Sequence, residues 1–183
     1  MDYEALGDEE LMLCIAKKDD AAFRVLVDRY LDKAVSFCTR MVRAGDAAED
    51  IAQDTFAKIW RSAGTWQPTA KFSTWFFTVL HNASLNEIRK RKSHGETELE
   101  DIFASSEALQ DERLMVKQRS ELVQKALGLL PERQKSALVL CYYEGLSQRE
   151  AAAVLNVTEG ALESLLSRGR KTLEERLTSV IKE

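Results

Sequence analysis

Ser147-Gln-Arg-Glu-Ala-Ala-Ala-Val-Leu-Asn-Val-Thr-Glu-Gly-Ala-Leu-Glu-Ser-Leu-Leu-Ser-Arg-Gly-Arg-Lys171 is the most specific local pattern in the chain. Ser147 and Glu150 have the spacing of a capping box, in which each side chain satisfies the other residue's free backbone N–H at a helix start. A short helix to Leu155 follows, with Ala151, Ala152 and Ala153 small enough to let a second helix cross closely. Asn156 breaks that helix and Thr158 caps the next. The second helix can bury Ala161, Leu162, Leu165, Leu166 and Leu173, and turns Glu159, Glu163, Ser164, Ser167, Arg168, Arg170 and Lys171 outward. These are helix-turn-helix proportions, in which the second helix enters the DNA major groove. The competing reading is an ordinary helical hairpin with solvated charges.

Outward from this motif the pattern stays helical. Eight Gly and two Pro in 183 residues leave little turn punctuation for a strand-rich fold. Pro131 opens a helix upstream and Gly145 closes it. At the other end, helices are expected over 8–17 and 20–43, from a capping box at Asp46–Glu49 to about Trp60, and from about Thr69 to Lys92. Residues 93–112 have little periodicity and read as a linker, apart from a possible turn at Ile102-Phe103. Helical pattern resumes near Leu114. The fold class expected is all-α: a domain over 1–92, an acidic linker over 93–112, and a helix-turn-helix domain over 113–183.

The charge balance needs the same resolution. The chain has 26 Lys+Arg and 30 Asp+Glu, net −4, which argues mildly against DNA. Split along the chain, residues 1–94 are net 0, 95–112 are net −7 and 113–183 are net +3. The negative sign belongs to the linker, and the objection weakens. An acidic N-terminus and the lack of any long apolar run argue for a cytoplasmic protein. Cys14, Cys38 and Cys141 form neither a metal pattern nor a disulfide framework and read as reduced core fillers. No cofactor or metal is expected.

A second signal lies between 60 and 92. Trp60, Trp66, Phe72, Trp75, Phe76 and Phe77 precede Arg89-Lys-Arg-Lys92. Rings that stack bases beside cations that hold the backbone suit single-stranded DNA. At helical spacing, Phe72, Trp75, Phe76 and Val79 read first as core, and Trp66 in its polar loop fits either role.

With these parts in place the chain resembles the extracytoplasmic-function (ECF) sigma factors of bacterial RNA polymerase. Ala22-Phe-Arg-Val-Leu-Val-Asp-Arg-Tyr30 resembles their first conserved helix, and Ala48-Glu-Asp-Ile-Ala-Gln-Asp-Thr-Phe-Ala-Lys-Ile-Trp60 their polymerase-binding helix. Phe72-Ser-Thr-Trp-Phe-Phe-Thr-Val-Leu-His-Asn82 with Arg89-Lys-Arg-Lys92 resembles their promoter-melting helix. Leu130-Pro-Glu-Arg-Gln134, Tyr143-Glu-Gly-Leu-Ser147 and the helix-turn-helix resemble their C-terminal domain.

The resemblance implies a subunit without catalytic residues that binds core RNA polymerase and brings it to a promoter. It assigns Asp50, Gln53, Asp54 and Phe56 to polymerase docking. It assigns Trp66, Lys71, Ser73, Thr74, His81, Asn82, Asn86, Arg89 and Arg91 to single-stranded minus-ten DNA. Arg149, Glu159, Gly160, Ser164, Ser167, Arg168 and Lys171 fall to the minus-35 duplex. It also implies control by an anti-sigma factor. The acidic linker would suit a positively charged polymerase channel. The family's recognition helix often reads Gly-Thr-Val-Lys-Ser-Arg, where this chain has Gly160-Ala-Leu-Glu-Ser-Leu165; Glu163 either accepts from a cytosine amine or faces solvent. The alternative is a stand-alone helix-turn-helix regulator of duplex DNA. An enzyme is poorly supported, with only His81 and His94 and no metal spacing.

Overall fold

The computed structural model describes residues 2–94 and 122–181, with side chains to 178. The linker beyond its first two residues, the turn at Ile102-Phe103 and the resumption near Leu114 lie outside the described residues. Those described form helices without strands: α1 (Asp8–Ala16), α2 (Asp20–Val42), α3 (Gly45–Ser62), α4 (Phe72–Ser93), α5 (122–128), α6 (Glu132–Leu138), α7 (Gln148–Leu155) and α8 (Glu159–Ile181).

In the N-terminal module α2 is the central helix, packed by α1, α3 and α4. Asp19 starts it by accepting from the N–H groups of Ala21 (3.0 Å) and Ala22 (3.1 Å), satisfying donors the helix cannot. Apolar residues at helical spacing (Leu26, Tyr30, Phe37 and Met41) then face inward. Tyr30 is the aromatic hinge of this core, with ring centroids 5.2 Å from Phe72 and 4.8 Å from Phe76 of α4. Phe37, Phe72 and Phe76 are fully buried, each worth about 1.5–3 kcal/mol relative to exposure. The Tyr30 hydroxyl keeps a partner, donating to Asp8 Oδ2 at 2.6 Å; burial and this acceptor both raise its pKa. Arg29 binds Asp8 Oδ1 (3.0 Å) and the carbonyls of Glu4 and Leu6 (both 2.8 Å), tying the N-terminal turn to α2.

Two helix starts differ from expectation. α3 begins at Gly45 with Ala44 at the N-cap position and no side-chain cap, so the Asp46–Glu49 capping box does not form and Asp46 sits in the first turn. α4 begins at Phe72 rather than Thr69. Its first N–H donates to Glu9 Oε1 at 2.9 Å, so a carboxylate from α1 supplies the cap that the local sequence lacks.

The C-terminal module follows its punctuation closely. Pro131 is the residue before α6, and α6 runs into a π-helical turn, Val139–Tyr143. Gly145 adopts φ +67°, the left-handed conformation that glycine takes without penalty. The Ser147–Glu150 capping box forms: the Glu150 N–H donates to Ser147 Oγ (3.2 Å) and the Ser147 N–H to Glu150 Oε2 (2.9 Å). Asn156 ends α7 in the left-handed region, and Thr158 Oγ1 accepts from the Ala161 N–H at 3.2 Å. Ala151 and Ala152 are buried between α7 and α8, together with Leu162 and Leu166; Ala153 and Ala161 instead face solvent. Gly169 lets Leu138 of α6 approach α8, since a Cβ there would lie 3.1 Å from the leucine.

The modules touch. The C-terminal module rests on α4 and on the C-terminal end of α2. Lys135 Nζ, buried, donates to the Met41 carbonyl at 2.7 Å. Lys71 Nζ and Glu150 Oε1 are 2.8 Å apart, and Lys92 pairs with Glu132. Arg40 stacks over the Tyr143 ring at 4.3 Å.

Candidate polymerase and nucleic-acid interfaces

The first candidate surface is the outward face of α3. Its buried stripe is Ala48, Ile51, Ala52, Thr55, Phe56 and Ile59. That leaves Asp50, Gln53 and Asp54, at one-turn spacing, exposed together. Two carboxylates and an amide can meet a basic partner surface and gain register and on-rate. Phe56 is not part of this face. It is 6% exposed and its ring lies 5.8 Å from Phe76, so it anchors α3 on the core beneath.

The second surface, on α4, is divided. Asn82, Asn86 and Arg89 recur every three to four residues and are exposed as one stripe of amides and a cation. Lys71 is exposed at the helix start and engaged by Glu150, which holds its ammonium charged. Ser73 and Arg91 are half-buried; Arg91 Nε lies 3.1 Å from Glu87. Trp66 is also half-buried, its ring 6.4 Å from both Phe72 and Trp75. It therefore extends the core aromatic cluster to the surface. Thr74 and His81 point inward, at 7% and 8% exposure.

His81 has specific surroundings. Its Nε2 is 3.0 Å from Ser136 Oγ of α6, while Nδ1 has no hydrogen-bond partner. The Ser136 hydroxyl can donate to the Glu132 carbonyl at 2.8 Å, which leaves its lone pair to accept from an Nε2–H tautomer. Burial, reinforced by Arg89, pushes the imidazole down to about 4, with Glu132 opposing.

The third surface is α8 with the start of α7. Arg149, Glu159, Gly160, Ser164, Ser167, Arg168 and Lys171 are all exposed, as is Glu163. Leu162 and Leu166 fix the helix from behind, and the polar residues stand opposite. Ser164 Oγ bonds the Gly160 carbonyl (3.0 Å) and Arg168 Nε the Ser164 carbonyl (3.2 Å). These exposed local bonds can exchange for phosphate or base contacts at little cost.

Sequence reasoning missed the residues joining the modules. Glu150 was legible as a cap, but its second partner is remote in sequence. Hydrogen bonding to Lys71, with Ser147 contributing, holds its carboxyl down to about 2. Lys135 offered a weak signal, a lysine two residues before the apolar run Ala137–Leu140. Among the described residues no cluster of His, Cys, Asp or Glu could hold a metal, and no helix is long and apolar enough to cross a membrane.

Comparison with known proteins identifies the two modules. The Sigma-70 region 2 family matches residues 26–94 and the Sigma-70 region 4 family residues 120–173. The ECF RNA polymerase sigma factor SigW of Bacillus subtilis is 30% identical over 89% of this chain and 92% of its own length. The RNA polymerase sigma-H factor of Pseudomonas aeruginosa is 29% identical over 96% of each. Among solved structures, CnrH in complex with the cytosolic domain of CnrY has a TM-score of 0.73 at 26% identity, over 94% of this chain and 97% of that one. The sigma factor RpoE of Bartonella quintana, in complex with the anti-sigma factor NepR, has a TM-score of 0.69 at 26% identity, over 85% and 96%. With both family regions matched in order and a relative similar over nearly its whole length, the chain belongs to the ECF sigma factors of RNA polymerase.

Proposed function

We propose that this sigma factor binds core RNA polymerase through the Asp50, Gln53 and Asp54 face of α3, with Phe56 positioning it. The minus-ten strand is held along α4, and the minus-35 duplex lies on α8. The carrying observation is that the α3 face, the Asn82–Asn86–Arg89 stripe of α4 and the seven minus-35 candidates of α7 and α8 are all exposed. Region boundaries at about 92 and 113 suit this division, with the acidic segment as tether.

The two DNA surfaces suit different chemistry. On α8, Arg168 and Lys171 position on phosphate while Ser164, Ser167 and Glu159 are placed to read base edges. On α4, amides and Arg89 flank an aromatic cluster that ends at Trp66, an arrangement for unpaired bases and their backbone. The chain then acts by binding alone, in the cytoplasm, and the polymerase supplies the catalysis. An anti-sigma factor is a fitting regulator, since the Bartonella relative is held by one. A stand-alone regulator has no use for a region 2 module, which the match over 26–94 supplies.

Run-off transcription on fragmented host genomic DNA tests the reading. Transcripts should appear with core polymerase only when the chain is added, and their start sites should share two upstream elements. Absence of transcripts, with duplex binding by the chain alone, would overturn it.

A further inference from the structure

Glu163 has no structural task in the fold. It is exposed in the second turn of α8. Glu159 in the first turn suits the positive end of the helix dipole, but that effect fades beyond the first turn. The residues three and four positions from Glu163 are Glu159, Gly160, Leu166 and Ser167, so no neighbour on α8 can pair with it. With Glu159 it makes a like-charge pair one turn apart, which weakens a helix slightly.

Gly160 is not demanded by packing either. A Cβ there would meet nothing within 4 Å, whereas at Gly169 it would meet Leu138 at 3.1 Å. Glycine is a poor helix former, so its presence does not serve α8 itself. Its missing side chain leaves a notch one turn before Glu163 and Ser164. Both residues lie near the start of α8, the part of a helix-turn-helix recognition helix that meets base edges. Arg168 and Lys171 lie further along and suit phosphate.

A carboxylate cannot bind phosphate and offers only acceptors. In the major groove guanine presents N7 and O6, and thymine presents O4; all are acceptors and repel it. Adenine sets its N6 amine beside the N7 acceptor, a pair that an amide matches and a carboxylate half opposes. Cytosine presents the N4 amine without an acceptor.

We propose that Glu163 is a specificity-determining residue of the minus-35 surface: its carboxylate accepts from N4 of one cytosine and disfavours every other base there, with Gly160 clearing the approach. The inference rests on the assignment of α8 to duplex DNA given above. Glu163 acts in the opposite sense to Arg168. The arginine strengthens binding to any duplex, whereas the carboxylate weakens binding to all duplexes except those with an amine at its position.

Selection of bound duplexes from a fully randomised library, with the full chain alone and with core polymerase added, tests this role. The parent should enrich an element in which cytosine at one position is preferred by about 5-fold or more. Glu163→Gln should move that preference towards adenine. Glu163→Ala should relax that position alone, keep the rest of the element and bind unselected duplexes more tightly. Replacing the selected cytosine with a pyrimidinone base that lacks the amine should weaken the parent by a similar factor and leave Glu163→Ala unchanged. The same element for parent and Glu163→Ala, no enriched element, or equal binding of the amine-free base would overturn the assignment. Run-off transcription is scored separately, so the failures are distinct. An element read through Glu163 without polymerase-dependent transcripts overturns the assigned function; transcripts whose upstream element is indifferent to residue 163 overturn the role of Glu163 alone.

Discussion

Ser147 sets the entry to the helix-turn-helix through two reciprocal hydrogen bonds with Glu150. Replacing it with Ala removes the acceptor for the Glu150 N–H, so Ser147→Ala should cost about 1 kcal/mol, read as a lower midpoint in urea unfolding at unchanged slope. Asn156, at φ 51°, should tolerate Gly but lose stability with Val, because a β-branched side chain is strained there. Cys38 tests burial in another way. Its thiol is fully enclosed beside Ser84, and burial pushes it up to about 12. Since the thiolate is the nucleophile, Cys38 should react with a thiol reagent at pH 8 only as fast as the protein unfolds. Mass mapping of the modified peptides checks this, and rapid native labelling of Cys38 would contradict it.

At the scale of the element, the proposed minus-35 helix α8 should separate stability from recognition. Leu166 is 4% exposed behind the helix, so Leu166→Ala should cost about 2–5 kcal/mol and weaken every duplex equally by disordering the helix. Among the described residues Arg168 is exposed and bonded only within its own helix, so Arg168→Ala should leave the melting temperature nearly unchanged. It should instead lower affinity for the promoter duplex across sequences and reduce the salt slope by about 0.9 for each phosphate that Arg168 neutralises. Unchanged salt dependence would remove Arg168 from the phosphate surface. The elements legible in the sequence are those whose boundaries are local: α7 and α8 carry their own caps, and the α2 stripe repeats at helical spacing. The start of α4 is not legible, because its cap is Glu9, 63 residues away. The same reason hides the burial of His81. Its place on α4 is readable, but the helix is covered by Ser136, and nothing near position 81 announces a neighbour 55 residues on.

At the scale of the whole molecule, the buried imidazole couples module packing to pH. His81 faces Ser136 and the Glu132 carboxylate of α6, and Arg89 lies two turns along its own helix. The loss of water and, after it, Arg89 disfavour protonation; Glu132 favours it and is outweighed, so the pKa falls from 6.5 to about 4. The sign follows from linkage. Any state that exposes His81, whether the opened chain or the unfolded one, takes up a proton near pH 6.5, while the packed state does so only near 4. Packing is therefore most favoured above pH 7 and weakens as pH falls through 6.5. By pH 5 the loss is on the order of 2 kcal/mol. Scattering and thermal melting from pH 7.5 to 5 should show expansion or a falling midpoint. His81→Phe, which cannot take up the proton, should flatten that dependence even if it lowers stability at pH 7.5. An equally steep decline in His81→Phe would assign the pH response to other groups.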